Sequence, residues 1–323
     1  MSGSPPSGLL REPPLLTVVV PCFNEQDVLP ETARRLDAMI GKLLSEGRIA
    51  TGSTVLFVDD GSSDGTWGLI ESLAAAPERF HGLKLARNFG HQNAILAGIM
   101  TARGDVTVTI DADLQDPPEA IGAMIDAYRA GAGVVYGVRD DRSADSAFKR
   151  LSARAFYRLM KRMGIELVFD HADYRLLSRA AADALRQFGE TNLFLRGLVP
   201  LLGFTQQTVR YKRDARFAGQ SKYNLAKMLS FSIDGITSFS VYPLRIITFF
   251  GLAVSLLAFA AGLWAFAVWL VDADRVPGWT SIVLPMYFLG GIQLLSVGIM
   301  GEYLGKSYFE AKRRPRYIVE KSI

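Results

Sequence analysis

Along the first 140 residues, apolar positions follow strand-like runs and helical spacing in turn. Leu15–Val20 is a short apolar, β-branched run that stops at Pro21 and predicts a buried strand. Glu25–Leu44 has helical spacing, with Leu29, Leu36, Ile40, Leu43 and Leu44 on one side. Thr54–Val58 predicts a second strand, stopped by Asp59-Asp60-Gly61-Ser62, and Asp64 is placed to cap a helix that runs to about Ala76. Leu83–Ala86 is a third strand, Gln92–Thr101 a helix and Val106–Ile110 a fourth strand. Pro117-Pro118 open another helix, and Gly133–Gly137 is a fifth strand. Strands alternating with helices predict right-handed crossovers and an α/β, Rossmann-like, mostly parallel sheet.

The pattern changes near the end of the chain. Ile246–Val271 holds 26 residues without a charge, and Trp279–Gly301 holds 23 more apart from its polar amide and hydroxyls. Each exceeds the roughly 20 residues that cross a hydrocarbon core of about 30 Å. The link between them is short, so the two predict a transmembrane hairpin. The link carries one cation, Arg275. The segment after the second span carries Lys306, Lys312, Arg313, Arg314, Arg316 and Lys321, and Arg245 precedes the first span. The bias of Lys and Arg places both termini and the catalytic part on the cytoplasmic side. A basic cluster beside a span also favours anionic lipid headgroups.

Composition sharpens this picture only slightly. The chain has 323 residues, 49% of them hydrophobic and 21% charged. Those values exclude a disordered, collagen-like or disulfide-rich chain. One cysteine, Cys22, rules out an internal disulfide and fits a reducing compartment. The net charge of +4 gives little support to a nucleic-acid partner, and the end of the chain supplies most of it. Five segments result. Residues 1–14 are a Ser/Pro/Gly-rich flexible arm with no apolar leader, and 15–222 form a catalytic domain. Residues 223–243 form interfacial helices, 244–304 the two spans (about 246–271 and 279–301), and 305–323 a basic cytoplasmic tail.

Candidate chemistry gathers where such sheets bind ligands, beyond the carboxyl ends of the strands. Asn24-Glu25 follows strand one, Asp59-Asp60 strand two, Arg87-Asn88 strand three, and Asp111-Ala112-Asp113 strand four. No Gly-rich phosphate loop of the Walker or dinucleotide type is present. Phosphates therefore need another source of positive charge. Asp-x-Asp at a strand end brings two hard carboxylate donors together, which suits Mg²⁺ or Mn²⁺ beside a substrate diphosphate.

Pro21-Cys-Phe-Asn-Glu25, Val58-Asp-Asp-Gly-Ser62, Leu85-Ala-Arg-Asn-Phe-Gly-His91 and Asp111-Ala-Asp-Leu-Gln-Asp-Pro-Pro118 resemble family 2 glycosyltransferases of the GT-A fold. The subgroup is similar to polyprenyl-phosphate glycosyltransferases, which include dolichol-phosphate mannose synthases and bactoprenol glucosyltransferases. The likeness continues through His171-Ala-Asp-Tyr-Arg-Leu-Leu-Ser-Arg179, Arg213–Tyr223, the two spans and Lys312–Tyr317. One small departure is Ala172-Asp173-Tyr174-Arg175, where the family often has Gly-Asp-Phe-Arg.

The resemblance implies roles. Asp60 contacts the base, and Pro21, Asn24 and Glu25 hold base and ribose. Asp59, Arg87, Asn88, Gly90 and Ala112 complete the nucleotide-sugar site. Asp111 and Asp113 serve the metal and the donor diphosphate, with Gln115 near the sugar. Arg213, Arg216, Ser221 and Lys222 form a loop closing over the phosphates. Arg139, Asp173 and Arg175 belong to the catalytic and acceptor side. The implied reaction is inverting transfer of a hexose, UDP-glucose being the first choice of donor, to undecaprenyl phosphate in the bacterial inner membrane. GDP-mannose, UDP-galactose, an amino sugar or an aminoarabinose derivative stay open as donors. The family also implies a homo-oligomer, possibly a tetramer, although no heptad sets the number.

These residue types suit that reaction. An acceptor phosphate is largely dianionic at pH 7 and needs no general base. Two anionic substrates instead need cations, which Arg210, Lys212, Arg213, Arg216, Lys222 and Lys227 supply. A solvated basic face or a membrane-surface patch is the other reading of this run. Asn224–Phe239 reads as an interfacial helix or as a plain core helix. Lys149–Arg162 adds a second basic stretch, suited to anionic lipid or the acceptor phosphate. His91 and His171 read as structural or hydrogen-bonding groups, since their spacing matches no zinc pattern. A processive polysaccharide synthase is disfavoured, because no Trp follows an Arg. A membrane-anchored binding protein without catalysis is the alternative of another class, and the intact Asp111-x-Asp113 argues against it.

Overall fold

The computed structural model describes residues 11–75, 79–139, 171–191, 193–212, 242–271 and 279–323. The expectations for Arg213, Arg216, Ser221, Lys222, the basic stretch 149–162, the helix at 224–239 and the link at 272–278 lie outside the described residues.

The chain divides into two units. The first carries eight strands: β1 (Leu16–Cys22), β2 (Thr54–Asp59), β3 (Phe80–Leu85), β4 (Val106–Thr109), β5 (Val134–Arg139), β6 (His171–Ser178), β7 (Gln206–Tyr211) and β8 (Val319–Ser322). Its helices are α1 (Leu29–Ser45), α2 (Thr66–Ala74), α3 (His91–Thr101), α4 (Ala120–Arg129), α5 (Arg179–Arg186) and α6 (Leu195–Leu201). The strands form one sheet in the order β7-β5-β6-β4-β1-β2-β3-β8. β1, β2, β3 and β4 run parallel, as do β5 and β7. β6 is antiparallel to both β4 and β5, which it separates.

Residue alternation in β1 builds both faces of the core. Val18, Val20 and Cys22 join Leu29, Leu36, Ile40 and Met124 on one face, while Val19 joins Ala94 and Ala97 of α3 on the other. α1 begins at Leu29 rather than Glu25. The Glu25 carbonyl accepts from the amides of Val28 and Leu29 at 3.1 and 2.9 Å, and Pro30 occupies the first turn. β1 continues through Pro21 even though it is a central strand. Its last pair with β4 is Val19↔Thr109, so no β4 carbonyl waits for the amide that Pro21 lacks.

Both ends of the first unit differ from the sequence expectation. The arm is already attached at Arg11, whose amide donates to Arg129 O at 3.2 Å and whose guanidinium lies 4.5 Å from the Tyr128 ring centroid. At the other end, the basic tail becomes the sheet edge. β8 pairs antiparallel with β3, and Ile323 exchanges two 2.9 Å backbone hydrogen bonds with Gly82. Ile318 O accepts from Ala86 N at 2.9 Å, and Lys321 pairs with Glu71 at 2.7 Å. The exposed β3 edge needs cover, and a β-branched, charged segment provides it. A chain ending at Arg316 is therefore expected to lose on the order of 3 kcal/mol, from the β3–β8 ladder, the backbone hydrogen bonds of Ile318 and Ile323, and the packing of Tyr317 and Ile323. Thermal unfolding in detergent checks this. An unchanged midpoint would show that β8 adds no stability.

The second unit holds α7 (Tyr242–Val271) and α8 (Trp279–Ala311), 30 and 33 residues long. At 1.5 Å per residue each reaches about 45 Å or more. Within them, Tyr242–Ala260 and Phe288–Ala311 are long and apolar enough to cross a membrane, and none of either stretch is buried inside the protein. Exposed Phe249, Leu257, Phe259, Trp264, Leu294 and Leu304 leave both helices with apolar surfaces that water does not suit.

Candidate active site

Four strand ends meet at a pocket of about 310 Å³ in the first unit. β1 contributes Pro21, Cys22, Phe23 and Glu25, and β2 contributes Asp60. Asn88, Gly90, His91 and Ala94 come from the β3–α3 connection, and Asp111, Ala112 and Asp113 follow β4. Of the residues expected to hold a nucleotide sugar, Pro21, Glu25, Asp60, Asn88, Gly90, Asp111, Ala112 and Asp113 therefore share one wall-to-wall space.

Local hydrogen bonds lock these segments together. The Asn24 amide donates to Ser62 Oγ at 2.9 Å, and Asn24 Oδ1 accepts from Ser63 N at 2.9 Å. The Glu25 amide donates to Thr66 Oγ1 at 2.9 Å. Asn24 takes φ +57°, a left-handed conformation that Asn tolerates. Its side chain is spent on this staple rather than turned into the pocket. Asp60 is buried, and its carboxylate accepts from the amides of Phe89 at 2.7 Å and Gly90 at 2.9 Å. Burial pushes the Asp60 carboxyl up, and those two amides hold the rise back. Arg87 stays exposed and lies over the Phe89 ring at 4.2 Å.

Asp59 and Arg175 correct the sequence expectation. Asp59 is fully buried, with Oδ1 accepting from Ser62 N at 3.2 Å, and it lies off the pocket wall. Arg175 is also fully buried. Its guanidinium donates to Asp173 inside the protein. The physical reason is its place in β6, a central strand whose Asp173/Arg175 face is closed over by Gln92 of α3 and Arg196 of α6. Arg139 is 31% exposed and is held by Asp116 at 3.2 Å, a carboxylate that also accepts from Tyr211 Oη at 2.6 Å.

Asp111 and Asp113 present two carboxylates to the pocket. Asp113 Oδ1 accepts from Gln115 N at 3.2 Å, and Leu114 between them takes φ +56°. A leucine there costs about 1–2 kcal/mol, and such strain concentrates at working sites. Gln115 itself is buried beneath. Among the described residues no three His, Cys, Asp or Glu side chains enclose a metal. Two carboxylates open to a pocket fit Mg²⁺ or Mn²⁺ that takes its remaining oxygens from substrate phosphates and water.

His91 is the functional candidate that sequence reasoning passed over. It opens α3 on the pocket wall, with Nε2 3.3 Å from Asp111 Oδ1 and 3.6 Å from Asp173 Oδ2. Burial opposes its charge, but Asp111 and Asp173 outweigh it and push the imidazole up to about 10. Asp173, unlike the exposed His91, is buried. Burial alone would raise its carboxyl; contact with His91 and the charges of Arg175 and Arg196 hold it well below the usual range. The available signal was the position of His91 immediately after Gly90, at the end of the third strand's polar cluster.

A doubly wound sheet with an Asp-x-Asp pair and a carboxylate-lined pocket at its strand ends is the GT-A architecture of nucleotide-sugar enzymes. The model of the family "Glycosyl transferase family 2" matches residues 17–186. The chain belongs to glycosyltransferase family 2. It is 47% identical over 309 residues to the uncharacterized glycosyltransferase YkoT of Bacillus subtilis (strain 168), covering 95% of this chain and 91% of that one. It is 37% identical over 311 residues to the SfII prophage-derived bactoprenol glucosyl transferase of Shigella flexneri, covering 95% and 98%. A prophage bactoprenol glucosyl transferase homolog of Escherichia coli (strain K12) is 36% identical over 310 residues, with the same coverage. Likenesses of this length run through α7 and α8. Among solved structures, mannosyl-3-phosphoglycerate synthase from Rubrobacter xylanophilus aligns with TM-score 0.46 and 18% identity over 68% of this chain and 71% of that one.

Proposed function

We propose that the protein transfers a hexose, with inversion, from a nucleotide diphosphate sugar to a polyprenyl phosphate at the cytoplasmic face of the bacterial inner membrane. UDP-glucose is the proposed donor and undecaprenyl phosphate the proposed acceptor. The observation that carries this reading is the end-to-end likeness to bactoprenol glucosyl transferases, apolar helices included. α7 and α8 then form the membrane hairpin, with both termini cytoplasmic, and the enzyme works as a homo-oligomer.

In this mechanism the nucleoside lies along Pro21, Glu25 and Asp60. Asp60 is already oriented by two backbone amides, so binding the base costs it no reorganisation. Asp111 and Asp113 would hold Mg²⁺ or Mn²⁺, which would offset charge on the departing diphosphate. An acceptor phosphate oxygen attacks the anomeric carbon from the side opposite the diphosphate. The new C–O bond forms as the old one breaks, leaving the nucleoside diphosphate. The acceptor arrives as an anion, so no side chain has to remove a proton. Arg139, partly exposed and paired with Asp116 at 3.2 Å, is a proposed acceptor-phosphate contact, and Arg213, Arg216, Ser221 and Lys222 are the proposed closing loop.

Membranes containing the protein, incubated with undecaprenyl phosphate and a panel of nucleotide sugars, test the reading. A lipid product heavier by one hexose with UDP-glucose is expected. Product with GDP-mannose or a UDP-amino sugar alone would replace the donor and keep the reaction. No lipid product with any donor would overturn the reaction itself.

A further inference from the structure

Asp173 has more donors around it than its charge requires. Arg175 Nη2 donates to Oδ1 from within the core, and Gln92 Nε2 donates to Oδ2 at 3.1 Å. Arg196 then adds a fork, with Nε 3.3 Å from Oδ1 and Nη2 3.2 Å from Oδ2. The carbonyl of Asp173 accepts from the Thr109 hydroxyl, which ties β6 to the end of β4 just before Asp111. Gln92 also accepts from Leu195 N at 3.2 Å, so α6 is anchored to the same carboxylate. The result is a rigid mount whose one pocket-facing member is His91, set between Asp173 and Asp111.

One buried carboxylate needs one cation to avoid a stranded charge, and Arg175, wholly inside, meets that need. Arg196 is 35% exposed and is not required for neutralisation. Its planar fork instead restricts how the carboxylate can turn, because two parallel donors fix a carboxylate plane where a point charge does not. A carboxylate fixed in plane keeps Oδ2 facing His91, and His91 in turn faces Asp111 Oδ1.

We propose that Arg196 is a positioning residue of sugar transfer, acting through Asp173 and His91 to set the orientation of Asp111 on the pocket wall. The reaction arm of this proposal rests on the function proposed above; the structural arm does not. A small misplacement of Asp111 lowers the rate without weakening the hold on the nucleoside, since Asp60 and Glu25 belong to other strand ends.

The chain has three histidines, which makes the His91 imidazole readable by NMR on the full-length protein in detergent, assigned with His91→Gln. In Arg196→Ala the His91 ring resonances are expected to move while those of His81 stay. The turnover number is expected to fall roughly a hundredfold, with the donor KM within about threefold of the parent. Arg196→Lys, which keeps the charge but not the fork, is expected to recover only part of the rate. Thermal unfolding reports the fold independently. Unmoved His91 resonances in a folded Arg196→Ala overturn the proposal. So does equal loss of rate, donor affinity and thermal midpoint with no recovery in Arg196→Lys, which marks a purely structural role. If His91 moves as expected but the parent protein glycosylates no polyprenyl phosphate, the mount stands and the functional reading falls.

Discussion

Asparagine at Asp111 or Asp113 is expected to cut sugar transfer by at least about a thousandfold, or ~4 kcal/mol of barrier. The substitution keeps shape and removes charge. Both carboxylates line the pocket; Asp113 is placed by the nearby amide of Gln115, and Asp111 by contact with His91 from another strand end. In the proposed mechanism, removing either would take a hard anionic ligand from the divalent cation and a counter-charge from the departing diphosphate. The nucleoside, in the same proposed mechanism, is gripped elsewhere, by Asp60 and the β1 segment, so affinity for the bare nucleoside should change by less than about threefold. Transfer rates with a labelled donor, beside calorimetric titration of the nucleoside, check both halves. Normal transfer by both variants would remove Asp111 and Asp113 from the chemistry.

Alanine at Gly61 is expected to be the most damaging single-methyl change to the fold, at about 3 kcal/mol or more. Gly61 has φ +70°, which already strains an L-residue. An added Cβ would lie 2.5 Å from the backbone carbon of Arg87 and 2.6 Å from Asn88 N. Those are main-chain atoms of the β3–α3 connection, so no flexible side chain can yield. Relief requires moving the very loop that supplies Asn88, Gly90 and His91, and the amides that Asp60 accepts from. Stability and nucleotide affinity should therefore fall together. Gly68→Ala is the control: its Cβ meets nothing within 4 Å on helix α2, and the helical gain of about 1 kcal/mol should appear as a small stabilisation. Denaturation midpoints of the two variants decide this. A Gly61→Ala protein as stable as its parent would show that the close approach of these loops is not maintained.

Much of this site was readable before any coordinates, because it obeys local rules. Apolar runs marked β1 to β5, and the polar cluster after each of the first four strands marked the pocket wall. Asp111 and Asp113 follow from that placement, which did not separate Asp60 on the pocket wall from Asp59 off it. The long charge-free stretches around Phe259 and Leu294 were equally plain, since a run of that length has few other uses.

Other features have no local signature. β6 slips between β4 and β5 in the reverse direction, and nothing in His171–Ser178 names its neighbours. Asp173 and Arg175 share a face by alternation, but whether that face meets substrate or core depends on which helices pack on it. Cover of that face by α3 and α6 buried Arg175, which pairs internally with Asp173. Val319–Ser322 is four residues with two charges, too short to declare itself a strand, and only an uncovered β3 edge makes it one. His91 shows the same division. Its chain position beside Gly90 is local, whereas its contacts join residues 20 and 82 positions away. Periodicity records which side of an element is apolar. Partners distant in the chain are chosen by packing and by the pairing of buried polar groups, and those are settled only when the whole sheet is assembled.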